Sequence, residues 1–117
     1  MKIVTLNANG IRSAHNKGLA TWMSSLRGWD VFCLQEMKAH ESDIPEEMLR
    51  PKKSHGHFFP AERKGYSGTA VWTKQKPLNV QRGFGVAEFD SEGRYLEVDL
   101  GPLAVVSLYL PSGAAGP

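Results

Sequence analysis

Two short apolar strands, each running into polar residues, constrain this chain more than any other feature. The first spans residues 2–7 and passes through Asn7 to Asn9-Gly10. The second is Val31-Phe32-Cys33-Leu34, continuing into Gln35-Glu36. The segment between them holds Leu19, Trp22, Met23 and Leu26 at helical spacing, with Ser13 placed as an N-cap and Gly28 as a stop. A strand, a helix and a second strand make a βαβ unit, whose crossover is almost always right-handed. Both strands then run the same way, and both carboxyl ends open on one edge of the sheet. Open α/β sheets bind ligands at that edge. The pattern therefore brings the amide of Asn7 towards the carboxylate of Glu36, where an oxygen-ligand site for a hard metal ion could be built.

The rest of the chain adds strands. A short helix is expected after Ser42, with Pro45 in its first turn. A strand begins at His55-Gly56-His57, and Thr69-Ala70-Val71-Trp72 reads as another. Pro77 marks a break before Leu78-Asn79-Val80. Glu92-Gly93 turns between a strand over 83–89 and an alternating strand over 95–100. Gly101-Pro102 turns again into a buried strand over 103–110, and the tail from Ser112 is a loop. The order predicts an α/β (α+β) fold, with a mixed sheet and helices packed on at least one face.

With 117 residues the chain makes one domain, long enough to bury a real core. No apolar run approaches the roughly 20 residues that span a bilayer, so no membrane partner is expected. The N-terminus carries no signal-peptide pattern. The single cysteine, Cys33, excludes an internal disulfide and fits a reducing, cytoplasmic setting. Inside an apolar run it reads as a small buried hydrophobe rather than a reactive thiol. A net charge of +2 and a pI near 8.8 admit a polyanionic partner without requiring one. Trp22 and Trp72 read as core, and Trp29 as a packing residue between helix and strand.

Five strings then fall in order along the chain. They are Asn7-Ala8-Asn9-Gly10-Ile11-Arg12, Asp30 through Gln35-Glu36-Met37-Lys38, Lys64-Gly65-Tyr66-Ser67-Gly68, Glu92-Gly93-Arg94, and Tyr109-Leu110-Pro111-Ser112. Together they closely resemble the N-terminal half of the exonuclease III type of abasic-site endonucleases, within the endonuclease/exonuclease/phosphatase superfamily. The resemblance implies that residues 1–117 form half of a four-layer α/β sandwich. It implies hydrolysis of DNA phosphodiesters in DNA repair, with Mg²⁺ as cofactor or Mn²⁺ in its place. The implied partner is double-stranded DNA carrying abasic sites or 3′ ends.

The resemblance also implies roles for particular residues. Glu36 stands at the metal-binding glutamate. Asn7 stands at a strand-end asparagine that orients phosphate or metal-bound water, and Tyr109 at a phenol that donates to a phosphate oxygen. These three form the catalytic set, with Glu36 and Asn7 at the metal. Asn9, Arg12, Lys17, Lys38, Tyr66 and Arg94 stand at DNA-facing positions, where phosphate contacts would position a duplex without reading its sequence. His55 and His57 share a strand face but have no evident third ligand.

The chain departs from the family in extent. The later Asp-x-Asn segment, second acidic metal site and final Asp-His pair do not occur, and His15, His40, His55 and His57 lie in other contexts. The chain is therefore expected to be an incomplete fragment, inactive alone. It is expected to leave an apolar sheet face for a C-terminal half or for self-association. Two alternatives remain open: a non-catalytic DNA-binding module, and another phosphoesterase of the same superfamily.

Overall fold

Strand β1 (Ile3–Asn7) lies parallel to β2 (Val31–Gln35), Ile3 opposite Val31 and Asn7 opposite Gln35, in a computed structural model that describes residues 1–111. The βαβ reading is thus realised at the register that aligns the two strand ends. β3 (His55–Phe59) and β4 (Thr69–Thr73) complete a mixed four-stranded sheet in the order β1-β2-β4-β3, with β4 antiparallel to both neighbours. A second sheet is an antiparallel meander of β5 (Asn79–Arg82), β6 (Tyr95–Asp99) and β7 (Ala104–Leu108), in the order β5-β6-β7.

The continuous apolar run of β2 is explained by burial on both faces. Phe32 and Leu34 enter a cluster with Ile11, Leu19, Met23 and Trp29 under the helices. Val31 and Cys33 point the other way, into a cluster with Val71, Leu96, Val98 and Val105 between the sheets. Phe32 meets Trp22, Trp29 and Trp72 edge-on, at centroid distances of 5.9, 5.8 and 6.0 Å. Edge-to-face pairs of this kind add about 0.5–1.5 kcal/mol each beyond their area burial. Burial raises the Cys33 thiol to about 11, so it is a packing residue and not a nucleophile at neutral pH. The indole N–H of Trp72 donates to the Met48 carbonyl at 2.8 Å, and that of Trp29 to Met23 at 3.1 Å.

Several expectations are corrected. The crossover is two helices, α1 (Ile11–Asn16) and α2 (Leu19–Ser25), because Gly18 takes φ 99° between them. The first begins directly after Gly10, so Ser13 lies inside it rather than at its cap, and the second ends before Gly28. Residues 41–53 form three isolated 3₁₀ turns instead of one helix. The stretch 83–89 is not a strand. Both carboxylate oxygens of Asp90 take the amides of Phe84 and Gly85, which curls the chain into a one-turn helix, α3 (Ala87–Asp90). Trp22 is 42% exposed, not core.

The second sheet packs on β2 and β4 from the inner side of the first. On that side β1 stays open, with Ile3 exposed beside buried Val31, and Val106 and Leu108 of β7 and Leu110 just beyond it are exposed too. Strand β7, expected to be buried, buries only alternate residues, Val105 and Ser107. The tail from Ser112 lies outside the described residues. No helix among those described is long and apolar enough to cross a membrane.

Candidate active site

At the carboxyl ends of β1 and β2, Asn7 Nδ2 donates to Glu36 Oε1 at 2.8 Å. The Asn9 amide returns to Asn7 Oδ1 at 3.0 Å. Lys38 Nζ donates to Asn9 Oδ1 at 2.6 Å and sits 3.4 Å from Glu36 Oε2. Asn7, Asn9, Glu36 and Lys38 thus close a ring of polar contacts across the two strand ends, as parallel pairing requires. The backbone beneath is pinned by Gly10 donating to the Glu36 carbonyl at 2.7 Å and Lys38 to that of Ser67 at 2.7 Å.

The backbone here is strained. Asn9, Glu36, Lys38 and Ser67 have φ of 47, 52, 52 and 41°. Left-handed conformations at non-glycine residues cost of order 1–3 kcal/mol and gather at functional sites, where surrounding structure holds them. At Gly68 (φ 88°) a side chain would be both strained and pressed against Met37. That glycine lets the loop after β3 close onto the end of β2.

Glu36 and Lys38 form one side of a groove completed by Arg63, Tyr66, Arg94 and Tyr109. Tyr109 is held there by its amide donating to the Arg94 carbonyl at 2.9 Å. The Arg63 guanidinium lies over the Tyr66 ring, 4.2 Å from its centroid, and Tyr66 is half-exposed at the rim. The Arg94 guanidinium pairs with Glu92, while its Nε is buried without a partner. Arg12 and Lys38 line an adjoining hollow with Gly65. Lys17 lines another with Asn7 and Asn9. All nine residues singled out from the sequence therefore surround one edge, and five of them share the groove itself. Sequence reasoning did not single out Arg63, Ser67 or Glu92 individually. They lie within or beside the strings that carried Tyr66 and Arg94, and loop-tip charge was the available signal. Ser112, the last residue of the fifth string, lies outside the described residues.

The donor set has been assembled from hard oxygens. Among the described residues no group of three or more His, Cys, Asp and Glu could hold a metal. His55 and His57 line a separate hollow beside Arg50. One carboxylate suits Mg²⁺, which keeps several waters and takes the rest of its shell from substrate phosphate; the Asn7 amide turns its Nδ2–H to Glu36 and its Oδ1 to the Asn9 amide. Mn²⁺ accepts the same oxygens, whereas Zn²⁺, Cu²⁺ and Ni²⁺ would call for imidazole or thiolate ligands. The fit to Mg²⁺ is thus chemically right and numerically sparse.

Residues 4–116 match the Endonuclease/Exonuclease/phosphatase family. The chain belongs to that family. A relative from Dictyostelium discoideum, a DNA-(apurinic or apyrimidinic site) endonuclease, is 37% identical over 96% of the chain and 30% of its own length. An exodeoxyribonuclease of Bacillus subtilis is 37% identical over 99% of the chain and 45% of its own length. The solved structure of an AP endonuclease from Archaeoglobus fulgidus superposes with a TM-score of 0.79 at 27% identity, covering 95% of this chain and 42% of that one. The chain therefore spans less than half the length of these Endonuclease/Exonuclease/phosphatase relatives, and the strand-end ring lies in the part they share with it.

Proposed function

We propose that this chain supplies one wall of a Mg²⁺-dependent phosphodiesterase site acting on abasic or 3′-ended duplex DNA. The observation that carries this reading is the ring of Asn7, Glu36, Lys38 and Asn9, facing Tyr66, Arg94 and Tyr109 across one groove. Its relatives' names supply the substrate class.

In this reading the Glu36 carboxylate would hold the ion, and Asn7, whose Oδ1 accepts from the Asn9 amide, would join it by turning its side-chain amide over. Bound there, Mg²⁺ would polarise the phosphoryl group and offset the charge that develops on it. Lys38 would neutralise a phosphate oxygen. The Tyr109 hydroxyl would donate to another, a charge-assisted bond worth about 1.5–3 kcal/mol. Tyr66 with the stacked Arg63, together with Arg12, Lys17 and Arg94, would position the duplex through its backbone. No described residue is placed to take the proton of an attacking water. General acid–base assistance is typically worth about 10²–10⁴ in rate, so the wall alone would bind far better than it cleaves. That shortfall favours a binding module as the second reading.

Anisotropy titration of a duplex carrying a tetrahydrofuran abasic analogue, with Mg²⁺, tests the groove. Tyr109→Phe should weaken binding about tenfold, the fold-change matching the loss of one charge-assisted bond, and leave the thermal midpoint nearly unchanged. Equal affinity in the wild type and Tyr109→Phe would remove Tyr109 from the site.

A further inference from the structure

The edge opposite the candidate site gathers a second set of positive charges. Lys2, Arg27, Lys52, Lys53, Lys74 and Lys76 flank the amino ends of β1, β2 and β3 and the carboxyl end of β4. Hydrogen bonds link the segments that carry Lys2, Arg27, Lys52 and Lys74. Lys2 Nζ donates to the Arg27 carbonyl at 2.8 Å, Lys52 Nζ to Leu26 at 3.3 Å, and Lys74 Nζ to Lys52 at 3.2 Å. Among the carboxylates at this end, Asp30 and Asp99 are occupied by backbone amides of Lys2 and Gly101, and Glu47 lines a hollow with Lys52. Six cations thus stand with three carboxylates, in a chain whose formal net charge is only +2. None of the six takes part in an ion pair among the described residues.

Two further observations mark this edge as built for anions. Lys52 and Lys53 both hold left-handed backbone, with φ of 53 and 58°, the only described non-glycine residues outside the site to do so. Lys74 is held over the Trp29 ring at 4.4 Å, and its pKa is lowered by burial and by the neighbouring Lys52 charge. Packing cations together with few counter-charges is unfavourable unless an anion completes the arrangement. A row of ammonium groups tied to backbone carbonyls, with the Arg27 guanidinium beside them, suits a row of phosphates.

We propose that this edge is a second nucleic-acid surface, which engages an undamaged duplex segment through backbone phosphates alone. It rests on the reading of the chain as DNA-acting. Five-residue strands separate the two edges by roughly 17 Å. A duplex lying along the site edge therefore leaves the basic edge free for another segment of DNA. Contacts of this kind carry no sequence information, and their strength falls steeply with salt.

The test is anisotropy titration of a 20-base-pair undamaged duplex across a KCl series, using the full 117-residue chain. The variant Arg27→Gln/Lys53→Gln/Lys76→Gln removes three exposed charges whose side chains make no hydrogen bond among the described residues, and circular dichroism checks that it folds. Loss of three phosphate contacts should weaken low-salt binding at least tenfold and reduce the slope of log K against log salt by about 2 to 3, near 0.9 per contact. Unchanged affinity and slope would overturn the proposal. So would tight binding to phosphatidylserine vesicles with no duplex binding, which would assign the edge to a lipid surface. A parallel Arg12→Gln/Lys38→Gln variant separates the two ideas. If it alone loses affinity for abasic-analogue duplex, the second surface falls and the site stands.

Discussion

Asn7 and Glu36, 29 positions apart in sequence, are joined side chain to side chain at 2.8 Å across the ends of two parallel strands. The contact fixes one Glu36 oxygen and leaves the carboxylate facing the groove that Lys38, Arg94 and Tyr109 also line. Everything proposed for the site depends on this carboxylate being a cation ligand rather than only half of a hydrogen bond.

A thermal shift separates those roles. A site with one carboxylate binds Mg²⁺ weakly, and a ligand at ten times its Kd stabilises the folded state by about 1.4 kcal/mol. Wild type should therefore melt several degrees higher in excess MgCl₂ than in NaCl of equal ionic strength. Glu36→Gln, which keeps the shape and a partner for Asn7, should lose that increment. An equal increment in the variant would show that the ion binds elsewhere.

The open edges of β1 and β7 predict association. Val106 and Leu108 are exposed on β7, and β7 sits over β2 with β1 beside it, so both sheets end unpaired on the same side. Unpaired edges with apolar side chains template further strand pairing. Size-exclusion chromatography with light scattering should show concentration-dependent oligomers. Val106→Lys/Leu108→Glu should shift them to monomer. A wild type that stays monomeric throughout would refute the expectation.

His57 predicts a pH response. Its pKa is lowered by burial, then by the charges of Arg82 and His55, and its Nε2 is buried without a partner. The folded state therefore favours the neutral ring. Above the unfolded value of about 6.5 both states are neutral and stability is full. As pH falls below it, the unfolded chain gains a proton that the folded chain resists, and stability is lost. Thermal midpoints should fall between pH 7 and 5, and His57→Gln should flatten that fall. A variant with the wild-type slope would place the titration elsewhere.

The residues that form the edge were legible because they depend on two strong signals. Alternating and continuous apolar runs located β1, β2, β4 and β6, and parallel pairing of the first two aligned Asn7 with Glu36. Less legible was whatever depends on particular tertiary partners. Gly18 breaks the crossover helix through its left-handed backbone, although its flanks keep helical spacing. Asp90 curls 83–89 through two hydrogen bonds that no local pattern announces. Trp22 has the hydrophobicity of a core residue but packs only one side, edge-on against Phe32, and stays 42% exposed. The positive edge was hidden because its six cations come from four separate segments and only folding gathers them.

The central claim is the proposal that the described residues form the phosphate-binding wall of a nuclease site with no group among them placed to activate water. Incision of a labelled abasic duplex by the purified 117-residue chain with Mg²⁺ tests it most directly, alongside binding of the same duplex. The account predicts salt-dependent binding with no incision above a Glu36→Gln control. Multiple turnovers by the wild-type chain, abolished by Glu36→Gln, would contradict it by showing a complete site within these residues.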